Sequence, residues 1–145
     1  MVEKIKKQKT EEHHAKVISQ NLPISTKHCI EIASFIRFKN LKKAKFLLEQ
    51  VIIKKMAVPM KRFNRDTGHK PGIASGRYPV KACEHILKLL DAIEANAEYK
   101  GLNTDNLKIS KVISNQGSGI WHHGRKRRRR MKRSHVEIEV EEIQK

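Results

Sequence analysis

The sequence is short of cysteine, of aromatic residues and of acid, and each shortage excludes something. Two cysteines occur, Cys29 and Cys83, far apart and in apolar stretches. That is too few for a disulfide framework, and a reduced intracellular pair is expected. No apolar run approaches the roughly 20 residues that span a bilayer, so membrane insertion is not expected. The first ten residues, MVEKIKKQKT, are charged and lack an apolar stretch, so they do not read as a secretory signal. Aromatics make up 5% of the chain, too few for base-stacking platforms to be the main binding device. Asp and Glu number 15 against 32 Lys and Arg, a formal charge of +17 on 145 residues. Self-repulsion on that scale calls for a polyanionic partner. A hydrophobic fraction of 38% still supports a modest core. Length and composition thus describe one small cytosolic domain with an anionic partner, nucleic acid first among the candidates.

Residues 1–12 are polar, basic and aperiodic and read as a mobile arm, ahead of a single domain over 13–145. From His14 to Gln20 the chain reads as a strand, and Pro23 makes Leu22-Pro23-Ile24 an extended connector. Ser25 or Thr26 suits a helix N-cap. Cys29, Ile32, Ala33 and Ile36 then recur at helical spacing, predicting a helix from Thr26 to Phe38. Asn40 interrupts it, and Leu41, Ala44, Leu48, Val51 and Ile52 predict a second helix to Lys55. Pro79 opens a third along the stripe Ala82, Ile86, Leu89, Leu90, Ile93 and Ala97, with Gly101 as its stop. Leu107 and Ile109 alternate with Lys108 and Ser110 until Val112-Ile113 breaks the phase, which suggests a bulge. Val136, Ile138 and Val140 alternate with Glu137, Glu139 and Glu141, a half-buried strand with an acidic outer face. Antiparallel pairing would set those acids opposite Lys108 and Lys111.

Two segments fall outside this pattern. Residues 57–79 hold three Pro, three Gly and five Lys or Arg, and read as a long basic loop whose backbone can approach phosphates. Residues 115–133 lie between the two last strands, and eight of the nine from Arg125 to Arg133 are basic. The chain must therefore go out and return, as a solvated tail or an import signal need not. A hairpin extension follows, turning tightly at Gly124-Arg125, with arms of roughly 35 Å at strand rise. Such a ribbon buries almost nothing and should order only against a polyanion. Trp121 has no local core to join and is placed to stack on a base or sugar. His13-His14 and His122-His123 are adjacent pairs with no Cys or acid at ligand spacing, so no metal is expected. No nucleophile elbow, phosphate-binding loop or zincin motif is present, and no cofactor or catalysis is expected. Asp66 and His69 could form an acid–base couple, although bracing the loop or touching RNA suits so basic a segment better.

The stretches LPIS (22–25), AVPMKRFN (57–64), GRYPVKA (76–82), ANAEYKGL (95–102) and SHVEIEV (134–140) resemble the universal L-twenty-two family of large-subunit ribosomal proteins, in its archaeal and eukaryotic form. The resemblance runs from about residue 14 to 142, in order. It implies an α+β fold: three helices packed on a small three-stranded antiparallel sheet, with a long protruding basic β-hairpin. It also implies binding to large-subunit rRNA, support of subunit assembly, and a hairpin that helps line the polypeptide exit tunnel. By that resemblance Lys27, Lys61, Arg62, Arg65, His69, Lys70 and Arg77 hold the globular part on rRNA. Arg125, Lys126, Arg127, Arg128, Arg129, Arg130, Lys132 and Arg133 neutralise phosphates along the arm. Trp121, His122, His123, Gly124 and Arg125 form the tunnel-facing tip. The implied partners are rRNA, neighbouring ribosomal proteins and the nascent polypeptide, in the cytoplasmic large subunit, with no homo-oligomer. The hairpin departs from the family by being about five residues shorter, which cuts its reach by roughly 7 to 10 Å. Two other readings compete. A free-standing nucleic-acid regulator would bind bare duplex DNA as well as rRNA, and an RNA-directed enzyme would lose turnover on Asp66→Ala.

Overall fold

Alternation at the end of the chain sets the frame of the molecule. The computed structural model describes residues 13–143, so the basic segment 1–12 lies outside the described residues. Strand β6 (Ser134–Glu142) buries Val136, Ile138 and Val140 and turns its glutamates outward. It lies in the centre of an antiparallel sheet, between β1 (His14–Leu22) and β5 (Leu107–Gln116). Glu141 faces Lys108 and Glu139 faces Lys111, as the alternation predicts. On the solvent face Lys16 Nζ lies 2.8 Å from Glu137, and Lys111 Nζ lies 3.2 Å from Glu139. The hydrogen bond from Lys16, joined by Lys111, holds the Glu137 carboxyl below the ordinary carboxylate range. The bulge falls at Ser110, between Ile109 and Lys111, slightly earlier than Val112-Ile113 suggests. It is this extra residue that returns Val112 to the buried face.

Helix α1 (Thr26–Ile36) packs on β5, α3 (Val80–Tyr99) on β1, and α2 (Leu41–Ile52) on α3. Both of the first two helices end before the expected Phe38 and Lys55. Phe38 takes a positive φ of 63° while its N–H donates to the Ile109 carbonyl, so backbone pairing with β5 stops α1. Asn40 caps α2 through its side chain, which accepts from the Lys42 N–H at 3.0 Å. Ser25 occupies the N-cap of α1 but makes no side-chain cap bond. Thr26 Oγ1 instead meets Ser134 Oγ at 2.8 Å, and Ser134, fully buried, donates to the Ile24 carbonyl. The start of α1 is thereby joined to the start of β6. Helix α3 closes with a Schellman arrangement: Gly101, at φ 74°, donates to Glu98 and Leu102 donates to Ala97.

The expectation of a bare loop over 57–79 is corrected. A second three-stranded sheet forms there, in the order β2 (Val58–Pro59), β4 (Ile73–Arg77), β3 (His69–Lys70). Strands of two residues carry no readable alternation, yet Val58, Met60 and Gly76 are buried beneath them. Cys29 and Cys83 both sit in the core, unbridged. Burial pushes the Cys29 thiol up to about 11 and, with the neighbouring Cys29, the Cys83 thiol up to about 12. Neither thiol should ionise near neutrality. The folded protein is therefore expected to resist iodoacetamide at pH 8, while the urea-unfolded chain takes up label at both cysteines. Rapid labelling of the folded protein, read by mass spectrometry, would contradict this packing.

Candidate nucleic-acid interface

The sequence-predicted site residues fall into two groups, and α1 stands between them. The first group is fixed by a residue the sequence gives no reason to single out. Glu31, on α1 and only 1% exposed, accepts the backbone N–H groups of Lys61, Arg62 and Phe63 at 2.9, 2.8 and 2.7 Å. Three donors on one carboxylate satisfy a charge that would otherwise be costly to bury. They also pin the entry of the basic segment against α1. As a result the Phe63 ring lies beneath two cations from different elements, Lys27 Nζ at 5.7 Å and the Arg62 guanidinium at 5.3 Å. Arg65 folds back, its Nε donating to the Lys61 carbonyl, and the Arg65 carbonyl in turn accepts from Ser75 Oγ. Lys70 Nζ stands 5.6 Å from the centroid of Tyr78. His69 and Arg77 are exposed on β3 and β4. Asp66 is likewise exposed.

The second group lies beyond the main sheet. The β5–β6 ladder ends at Gln116 opposite Ser134, whereas the sequence alone predicts strand pairing to a tight turn. Past that point the two arms are joined by separate bonds: Gly117 N–H to Arg133, Met131 N–H to Ile120, and His122 N–H to Arg129. A short 3-10 turn over Gly124–Lys126 replaces the primed turn, and Arg128 takes a positive φ of 69°. Like charges crowd these arms, and with so little apolar surface to bury, a regular ladder gains nothing there. Gly117 is buried where the arms close: a Cβ on it would lie 3.0 Å from Arg133 Cβ and 3.2 Å from the Arg133 carbonyl carbon. Trp121 is 54% exposed and bridges to Arg130, whose guanidinium stands 4.2 Å from the ring centroid. Residues 123–130 are exposed throughout. Arg133 differs from its neighbours, because its Nη1 donates to the Asn21 carbonyl at 3.0 Å and so braces the base of the hairpin.

At the α1 start the two groups converge. A cleft of about 350 Å³ there is lined by Lys27, Gly117, Arg130, Lys132 and Arg133. His28 sits nearby, held below the usual imidazole range by burial first and then by the charges of Lys132 and Arg77. The smaller part of that depression comes from one cation of each basic group. Among the described residues, the lysines in ion pairs are Lys16, Lys42, Lys45 and Lys111, on the main sheet or α2. None of the cations of the two basic segments is among them. Among the described residues, the acids in lysine ion pairs thus serve the main sheet and α2 and not the two basic segments. Sequence reasoning missed Glu31, Phe63 and Tyr78. The aromatics were marked only by lying next to Lys or Arg in 57–79.

Comparison with known proteins shows the family. The family described as Ribosomal protein L22p/L17e matches residues 17–141. A relative from Methanoculleus marisnigri, named large ribosomal subunit protein uL22, is 41% identical over 140 residues, covering 91% of this chain and 92% of its own. Proteins of the same name from Methanocella arvoryzae and Ignicoccus hospitalis are 50% and 40% identical. They cover 73% and 94% of this chain, and 71% and 93% of their own lengths. With the family pattern running from β1 to the end of β6 through both basic segments, this chain belongs to the L22p/L17e family of ribosomal proteins.

Proposed function

We propose that this protein is a structural constituent of the large ribosomal subunit that binds large-subunit rRNA through its two basic segments. Its family is one of structural, non-enzymatic ribosomal proteins, and its place is the cytoplasmic ribosome. The observation that carries the rRNA reading is the segregation of charge. Lysines of the main sheet and α2 pair with acids, whereas the cations of 57–79 and 123–133 are left out of every ion pair among the described residues. Binding of this kind is dominated by phosphates and guided by RNA shape, with few base contacts. Lys27 and Arg62 over Phe63, together with Arg130 and Lys132 at the α1 cleft, would grip the RNA close to the core. Residues 121–130 would reach further in, toward the exit tunnel and its nascent polypeptide. Early docking of this protein would support subunit assembly.

The test is sedimentation of the tagged protein through a high-salt sucrose gradient of its own cell lysate. Stoichiometric migration with the large subunit is expected. Protein at the top of the gradient, or bound well below one copy per subunit, would overturn the reading and favour a free nucleic-acid regulator.

A further inference from the structure

We propose that the cavity between α1 and the second sheet is a subsite for one unpaired nucleobase of RNA. The proposal rests on the rRNA-binding reading and adds to phosphate contact a place where a base is held. The cavity has a volume of about 500 Å³, within the range of small-ligand sites. Phe35 and Tyr78 supply aromatic surface, Pro59 and Ile73 supply apolar surface, and Lys55 and Lys70 supply charge. Among the described residues, no Asp or Glu lines it. A cation stands over each ring, Lys70 Nζ at 5.6 Å from Tyr78 and Lys39 Nζ at 6.0 Å from Phe35.

Those features match the parts of a nucleotide. A base offers a π-face to stack on an aromatic ring, and its flanking phosphates pair with lysines. An apolar small molecule would have no use for the two lysines of the lining, and an acidic metabolite none for two rings. Bases inside an RNA duplex are stacked and out of reach, so the occupant must be unpaired. The floor of the cavity is also fixed. A Cβ on Gly76 would lie 2.8 Å from Ile73 Cδ1 and 2.9 Å from Lys70 Cγ. The Lys70 stem and Ile73 therefore rest on bare backbone, which holds the Lys70 ammonium beside Tyr78.

The experiment uses the full chain and two probes at fixed salt, a short unpaired oligoadenylate and an RNA duplex of equal length, read by fluorescence anisotropy. Tyr78→Leu is expected to weaken oligoadenylate binding about tenfold, to weaken duplex binding much less, and to leave the melting temperature unchanged. Tyr78→Phe, which keeps the ring, should bind both as the wild type does. An unchanged Tyr78→Leu, or equal losses on both probes, would overturn the proposal. Should Tyr78→Leu fail to fold, photo-crosslinking of the wild type to a 5-iodouridine oligomer decides. Adducts at Tyr78 or Phe35 support the subsite, and adducts confined to 121–133 reject it. Wild-type protein that binds neither probe would be a different failure, that of the rRNA reading itself.

Discussion

Replacing Arg125, Lys126, Arg127, Arg128, Arg129, Arg130 and Lys132 with Gln should flatten the salt dependence of rRNA binding more than any other change. Each cation that meets a phosphate releases a counterion, contributing about −0.7 to −0.9 to the slope of log K against log salt. The eight basic residues of 125–133 together predict a slope near −6 to −7 from the hairpin alone. Raising salt from about 50 to about 200 mM should then weaken wild-type binding by roughly 10³ to 10⁵-fold. The variant keeps Arg133, whose bond to Asn21 braces the hairpin base, so its loss would confuse binding with folding. Its slope should be shallower by about 5 to 6. Its thermal unfolding should be unchanged, because the substituted residues lie outside the β5–β6 ladder. Filter binding to large-subunit rRNA across a salt series reads both quantities. A slope that survives neutralisation would remove the hairpin from the interface and leave 57–79 as the sole anchor.

Loss of the Glu31 carboxylate should cost far more stability than loss of an exposed side chain. Glu31→Ala deprives three backbone N–H groups of their acceptor at once. Orphaned donors cost about 1 to 3 kcal/mol each when they stay dry, and partial rewetting of this half-open segment reduces the sum to about 3 kcal/mol. For a chain of this length that corresponds to a fall in Tm of roughly 6 to 12 °C. Glu31→Gln should lose less. Its carbonyl can still accept from Arg62 and Phe63, both served by Oε1, while its amide confronts the Lys61 N–H, a donor against a donor. Hydrogen exchange at 61–63 should quicken in both variants, and urea unfolding gives the energies. An Ala variant within 0.5 kcal/mol of the wild type, a loss usual for an exposed site, would show that the three bonds are not what holds the basic segment down.

Where side chains repeat with a period, the sequence announced the structure. The alternation of Val136, Ile138 and Val140 gave β6, its acidic face and its lysine partners, and the stripe from Ala82 to Ala97 gave α3 with its stop at Gly101. Where a single residue or a backbone contact decides, the sequence was silent. Strands of two residues in 57–79 have no period to show. Glu31 looks like a surface acid, because its role depends on donors thirty residues away that only tertiary folding delivers. Phe38 fits a helix by composition and is pulled into the left-handed region by pairing with Ile109. The site shows the same division. Its cations were legible as charge, whereas the rings beneath them, Phe63 and Tyr78, were legible only once folding had brought the two together.

The strand order of the main sheet has a consequence for how the chain is made. Because β6 lies between β1 and β5, β1 has no partner in the sheet until β6 has emerged. His14 must wait for Glu141. Helices α1 to α3 can assemble meanwhile, but β1 and β5 are left with open edges, ready templates for pairing with another chain. Chains cut short ahead of Ser134 should therefore collect as aggregates and not as smaller folded domains. Completion of the molecule is a late, single event, made by the strand that follows directly on its most highly charged segment.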